Sequence, residues 1–353
     1  LQKPFTRTFS GNKKVISYVV ASGFLLLAMF LGISIGSVRV PFADIAAIIG
    51  TRVLHLPLSE QIDSMHTNIV MNIRLPRVLL AGLVGASLAM AGGAFQGLLR
   101  NPLADPYTLG VSSGASVGAV CVLFFHISIP FAGIFTLPLV SIIAAFITIF
   151  LVLIFARSIE PSMKVETIIL TGIIFSSFLG ALLSLMIALS GEELRQIIGW
   201  LLGSVSMRGW SYIRIILPFF LIGGLILLFN ARELNAMSFG EERAKHLGVS
   251  VERRKLAVLA AGSLLTGAAV AVSGTIGFVG LVIPHLVRII WGPDHKQLLP
   301  LSVLIGAGFL ILADLTARTI IQPAELPIGV ITALIGAPAF ALILVRRRME
   351  RRG

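Results

Sequence analysis

An all-α polytopic membrane protein is the fold class predicted for this chain, and three observations predict it. Of 353 residues, 56% are hydrophobic and 12% charged, about half the roughly 25% charge of an ordinary soluble domain. A mean hydropathy of +0.98 holds over the whole length, which one buried core does not produce. The apolar residues fall in runs long enough to cross about 30 Å of hydrocarbon, without the period-two alternation of barrel strands. Water-soluble enzymes and disordered tails are excluded by the same figures.

Ten runs qualify in order along the chain. The first, 15–36, is too long for a cleavable signal and lacks a small-x-small exit. The second, 78–99, follows Pro76, which suits a first helical turn. The third, 108–125, is short; 137–155 and 167–189 are uninterrupted. The run 213–229 precedes a charged stretch, and 256–272 follows it. The eighth, 276–290, is broken by Gly and Pro, and 298–315 and 328–345 complete the set. The whole of 1–353 reads as one transmembrane domain. Residues 1–14 and 346–353 form basic cytoplasmic ends, and 231–255 contains the longest cytoplasmic connection.

Ten spans place both termini on one side. With the termini inside, 20 of the 28 Lys and Arg residues lie on the inner face. The other 8 are Arg39, Arg52, Arg74, Arg77, Arg195, Arg208, Arg214 and Arg318. This is the positive-inside bias, so the termini are cytoplasmic and the net charge of +12 reflects topology rather than a nucleic-acid surface. Tyr18, Tyr107, Trp200, Trp210, Tyr212 and Trp291 fall near span ends, where amphipathic rings prefer the interface. The single cysteine, Cys121, lies inside an apolar run and forms no intrachain disulfide. Gly85 to Gly92 resembles Gly267 to Gly274 five spans later. An odd separation makes the copies antiparallel, the inverted repeat of many transporters.

The chain contains no G-x-x-x-x-G-K-[ST], no H-E-x-x-H and no Cys/His cluster with metal spacing. No Asp, Glu, Lys or Arg occupies a span centre, where ion-coupled carriers keep an ionisable group or a helix break. Any driving energy is therefore expected from a partner. The segment between spans six and seven is the candidate entry point. Ser238 to Glu241 has the S-x-x-E form of a capping box, residues 242–247 suit a short helix, and Gly248 suits its end. Ala244 and Leu247 would share a small apolar face. Two readings stay open, a helix docked on a soluble subunit and an interfacial helix lying on headgroups.

Arg74 and Arg77 stand on the outer face at what reads as a helix N-terminus, where cations oppose the dipole at about 0.3–1 kcal/mol each. An acidic partner outside would explain them; so would snorkelling to headgroups. Arg318 has Asp314 four residues before it, an available i,i+4 pair. Glu325 most simply complements the N-terminus of the last helix, and His285 reads as structural rather than as a ligand. Gly82, Gly85, Gly92, Gly93 and Gly97, and the series Gly172, Ser176, Gly180, Ser184, permit close helix packing or line a pathway.

The runs Ile73 to Arg77, Gly92 to Pro106 and Leu109 to Ala115 resemble the FecCD-type permeases. So do Gly277 to His285, Glu325 to Val330 and Gly336 to Pro338. These permeases are the membrane subunits of ABC importers for iron–siderophores, haem and cobalamin. The resemblance implies the type II importer permease fold in a bacterial cytoplasmic membrane. It also implies a second, identical or paralogous permease subunit, two cytoplasmic ATPases and an extracytoplasmic binding protein. It assigns Arg74, Arg77 and Arg318 to docking of that binding protein. Gly240, Glu241, Glu242, Arg243, Ala244, His246, Leu247 and Gly248 match the segment that couples to the ATPase. Asn101, Pro102 and Leu103, with Lys164, Val165 and Glu166, match the cytoplasmic gate. No catalytic residue, metal or bound cofactor is implied for this chain; ATP and magnesium belong to the ATPases. The expected cargo is an iron chelate, foremost an iron–siderophore, with haem or cobalamin as alternatives and an ion-coupled carrier as the reading from another class.

Overall fold

The structure is a computed structural model and describes residues 11–36, 38–52, 55 and 63–350. The remainder of the predicted cytoplasmic ends, 1–10 and 351–353, with Lys3, Arg7, Arg351 and Arg352, lies outside the described residues. Among the described residues the chain is helical and contains no strand. The first helices are α1 (Gly11–Ser34), α2 (Phe42–Arg52), α3 (Ser64–Asn68), α4 (Leu75–Leu98) and α5 (Val111–Phe124). Next come α6 (Thr136–Ile159), α7 (Val165–Leu189), α8 (Leu194–Leu201), α9 (Trp210–Phe229) and α10 (Ala231–Ser238). The series ends with α11 (Glu241–His246), α12 (Val251–Ser273), α13 (Val279–Trp291), α14 (His295–Thr319) and α15 (Ile328–Glu350).

Each predicted span coincides with one helix. Seven are long and apolar enough to cross a membrane, and α5, α13 and the apolar part of α15 are shorter. The second span differs in its start. A π-helical turn, Ile69–Arg74, joins α3 to α4, so one continuous helix runs Ser64–Leu98. Pro76 therefore sits inside a longer helix rather than at its first turn. Proline lacks an N–H and crowds the carbonyl four residues back; a wider turn just before it relieves the ladder.

The packing supports an inverted repeat. Helix α4 packs on α13 and α14, and its counterpart α12 packs on α5 and α6. These two form the centre, with 89% and 78% of their spanning windows buried, against 17% for α7. Both α5 and α13 start after a break in left-handed backbone, at Gly110 (φ +81°) and Phe278 (φ +68°). The breaks meet, since the Tyr107 hydroxyl accepts the Ile276 N–H at 2.8 Å. The breaks stand at the starts of these two spans, and each is closed by the other.

Glycine permits the central crossing. A Cβ on Gly92 would lie 1.9 Å from the Gly280 carbonyl oxygen, and one on Gly85 2.2 Å from that of Gly306. On α7, Gly172 meets Thr108 and Leu109, whereas Gly180 has nothing within 4 Å. Overpacking of this kind costs about 1–3 kcal/mol or more. Gly92→Ala is expected to lower the thermal unfolding midpoint of the purified chain in detergent, and Gly180→Ala to leave it unchanged.

Candidate functional site

On the outer face three arginines lie beneath the surface. Arg74, 4% exposed, donates from one nitrogen to the carbonyls of Ile33 at 2.8 Å and Ser34 at 3.0 Å, and from another to Val38. Arg318 donates to Gly32. The last carbonyls of α1, which have no helical partner of their own, are therefore covered by two guanidiniums. A positive charge there also complements the negative end of the helix dipole.

Arg77 joins the remaining elements. Its Nε reaches both Asp314 oxygens at 3.1 and 3.0 Å, and one terminal nitrogen reaches Oδ1 at 2.9 Å. The terminal nitrogens also bind Glu325 at 2.8 and 3.1 Å and Ser206 at 3.4 Å. Arg318 approaches Asp314 from the other side at 3.7 Å. The cluster ties α4, α14 and the turns before α9 and α15 into one unit. Its hydrogen bonds from Arg77 hold the Glu325 carboxyl below the usual glutamate range.

The inner face has its own buried cation. Lys255, 2% exposed in the first turns of α12, binds Glu241 Oε1 at 2.6 Å and donates to the Met163 carbonyl at 2.9 Å. One ammonium thus joins α11, α12 and the turn before α7. Arg254 binds Glu233 at 3.2 Å and the Asn230 side chain at 3.1 Å. The Asn235 side chain donates to Asp294 at 2.6 Å and accepts the His295 N–H at 2.8 Å. A groove of 510 Å³ lies between the turn and the short helix, lined by Arg100, Lys164, Val165, Glu166 and the stretch from Phe239 to Arg243. Phe239 and Leu247 are 70% and 72% exposed at this face.

Several sequence expectations change against this geometry. Arg74 and Arg77 are not at a helix N-terminus, because the helix continues through the π-turn; the dipole penalty does not apply, and both side chains turn inward to partners. Glu325 pairs with Arg77 rather than capping the last helix. The capping box does not form: Ser238 ends α10 and donates to the Asn235 carbonyl, Gly240 occupies the N-cap at φ +117°, and Glu241 goes to Lys255. Ala244 is buried while Leu247 is exposed, so they share no face. Gly248 does follow the helix in left-handed backbone, φ +83°.

The groove brings Lys164, Val165 and Glu166 beside Gly240, Glu241, Glu242 and Arg243. Asn101, Pro102 and Leu103 form a turn next to its Arg100 wall, where the Asn101 side chain accepts the Leu103 N–H at 2.9 Å. His285 packs edge-on against Phe340 at 5.7 Å. Lys255, Asp314 and Phe239 were not singled out from the sequence as site residues. Lys255 reads as one more inner-face cation, and Asp314 shows only its i,i+4 spacing to Arg318, because Arg77 lies 237 positions away.

The FecCD transport family model matches residues 24–346. The ABC transporter permease protein YvrB of Bacillus subtilis is 59% identical over 98% of each chain. The cobalamin import system permease protein of Halobacterium salinarum is 43% identical over 84% of this chain and 78% of its own. A solved structure, described as an inward-facing conformation of a metal-chelate type ABC transporter, superposes with a TM-score of 0.81. It is 35% identical and covers 94% of this chain and 99% of its own.

Removing one partner of a buried ion pair typically costs about 3–5 kcal/mol. Asp314→Asn is therefore expected to lower the unfolding midpoint more than Glu325→Gln, because the Asp314 side chain is 1% exposed and that of Glu325 39%. A carboxyl whose pKa is lowered in the folded state stabilises fully above the ordinary glutamate value, about 4.3, and that contribution disappears as pH falls through its folded value. Acidification from pH 6 to below about pH 4 should therefore cost the parent more stability than it costs Glu325→Gln, read as the difference between their midpoints at each pH.

Proposed function

The chain belongs to the FecCD transport family, and on that premise we propose that it is the transmembrane permease subunit of an ABC importer for a bulky metal chelate. The observation that carries this is the inner face. A short helix, Glu241–His246, is tied through Lys255 to α12 and the turn before α7, beside a groove and two exposed apolar side chains. Such a face suits a soluble subunit that pushes, and the sequence has no phosphate-cradling loop of its own. ATP hydrolysis then belongs to two cytoplasmic partners, and a second permease subunit, identical or paralogous, completes the pathway. Span centres without charge suit a bulky cargo that must leave again.

Cargo arrives from an extracytoplasmic binding protein, and Arg74, Arg77 and Arg318 serve its docking. Since all three have internal partners, docking works by exchange. The Glu325 side chain is the accessible member of the cluster, and an acidic side chain of the binding protein takes its place on Arg77. Asn101, Pro102 and Leu103, with Lys164, Val165 and Glu166, close the pathway toward the cytoplasm.

The proposed cargo is an iron–siderophore. Uptake of labelled iron–siderophores, haem and cobalamin in a strain deleted for this gene tests it; restoration of haem or cobalamin uptake alone would replace the cargo, and restoration of none would reject an importer of these chelates. A second reading, an ion-coupled carrier, has the paired helix breaks in its favour, and predicts uptake that outlives ATP depletion.

Two variants test the faces. Leu247→Asp is expected to leave the chain folded and to reduce uptake at least tenfold while the partner ATPase still hydrolyses ATP; full coupling would leave the segment an ordinary loop. Glu325→Gln removes the competing carboxylate and is expected to tighten binding-protein docking several-fold, most at low salt, where charge attraction is least screened. Unchanged affinity would reject the exchange.

A further inference from the structure

Away from both faces, α9, α14 and α4 leave an apolar groove of 290 Å³. Its walls include Phe220, Leu225 and Leu228 of α9 and Val303 of α14, and Met90 and Gly224 form the floor. From Phe220 to Leu228 the helix rises about 12 Å at 1.5 Å per residue, so the groove runs lengthwise along the span. At its inner end Leu228 is shared with a second cavity of 420 Å³, where Arg232, Glu233 and Lys296 join Phe229 and Ala231 in the lining.

The charges there are unequal. Glu233 gives one oxygen to Arg254, while neither Arg232 nor Lys296 has a carboxylate within ion-pair distance among the described residues. Two exposed cations thus stand at the inner membrane boundary above an apolar slot. A group that fits both features has an acyl chain and a negative charge beside it.

We propose that this slot is a binding site for an anionic phospholipid of the inner leaflet. One acyl chain lies along Phe220 to Leu228 over Gly224, and the phosphodiester meets Arg232 and Lys296. Basic pockets between spanning helices on the cytoplasmic side suit anionic headgroups in this way. The net charge distinguishes this lipid from phosphatidylcholine, whose quaternary ammonium cancels the charge of its phosphodiester. Since α10 leads directly into the short helix Glu241–His246, the lipid would brace the root of that segment. The site itself does not depend on what the chain transports.

The test uses the full chain in nanodiscs of phosphatidylcholine doped with photoactivatable phosphatidylglycerol, with crosslinks mapped by mass spectrometry. Crosslinks are expected on 220–232, at least tenfold above those from an equally doped phosphatidylcholine probe. The doubly substituted Arg232→Gln, Lys296→Gln chain should lose most of them, and Arg157→Gln, a basic residue elsewhere on the inner face, should keep them. Gly224→Phe, which fills the slot and leaves the charges, should also lose them. Equal labelling by both lipids, or full labelling of the double variant, would overturn the site.

Discussion

The guanidinium of Arg77 is the interaction on which the outer half of the molecule depends. A charge inside a membrane protein must find its counter-charge within the chain, and here three guanidiniums share two carboxylates. One positive charge is left over, and the C-terminal carbonyls of α1 absorb it through Arg74 and Arg318. The result ties α1, α4 and α14 at their outer ends, with the turns before α9 and α15. Asp314 is the hub because it alone touches both Arg77 and Arg318. Removing it would leave two buried cations sharing the single, half-exposed Glu325.

The inner face is built differently. Its buried cation, Lys255, is satisfied by a carboxylate on a six-residue helix and by one backbone carbonyl. A helix so short has little stability of its own and is held by what it touches. Displacing it moves the counter-charge of a buried ammonium, so the ends of α12 and α7 must follow. The centre between the faces is suited to pass such a shift on. Helices α4 and α12 are packed on nearly all sides, and glycine brings α4 against the backbones of α13 and α14, so little side-chain slack separates them. Close-packed interiors of this kind transmit strain rather than absorb it.

Much of this architecture was legible in the sequence, for physical reasons. Apolar runs of spanning length are the strongest signal a chain carries, and all ten find a helix. The shortness of the third and eighth runs announced the breaks before α5 and α13, although not that Tyr107 closes one upon the other. The repeat of Gly85 to Gly92 in Gly267 to Gly274 marked the two central helices. Less was legible where a local pattern competed with a distant partner. Ser238 and Glu241 have capping-box spacing, yet Lys255 offers Glu241 a full opposite charge, a stronger partner than a backbone N–H. Glu325 stands before a helix N-terminus, and Arg77 outbids the dipole there for the same reason. Arg74 and Arg77 looked outward because the π-turn that carries the helix past them has no sequence signature.

The central claim is that the chain is a conduit without a motor, moved from its inner face. The most direct measurement is accumulation of labelled cargo in proteoliposomes holding the chain, its ATPase and its binding protein. Accumulation should require ATP on the ATPase side and persist when ionophores abolish every ion gradient. Accumulation by the chain alone under a proton or sodium gradient would contradict it.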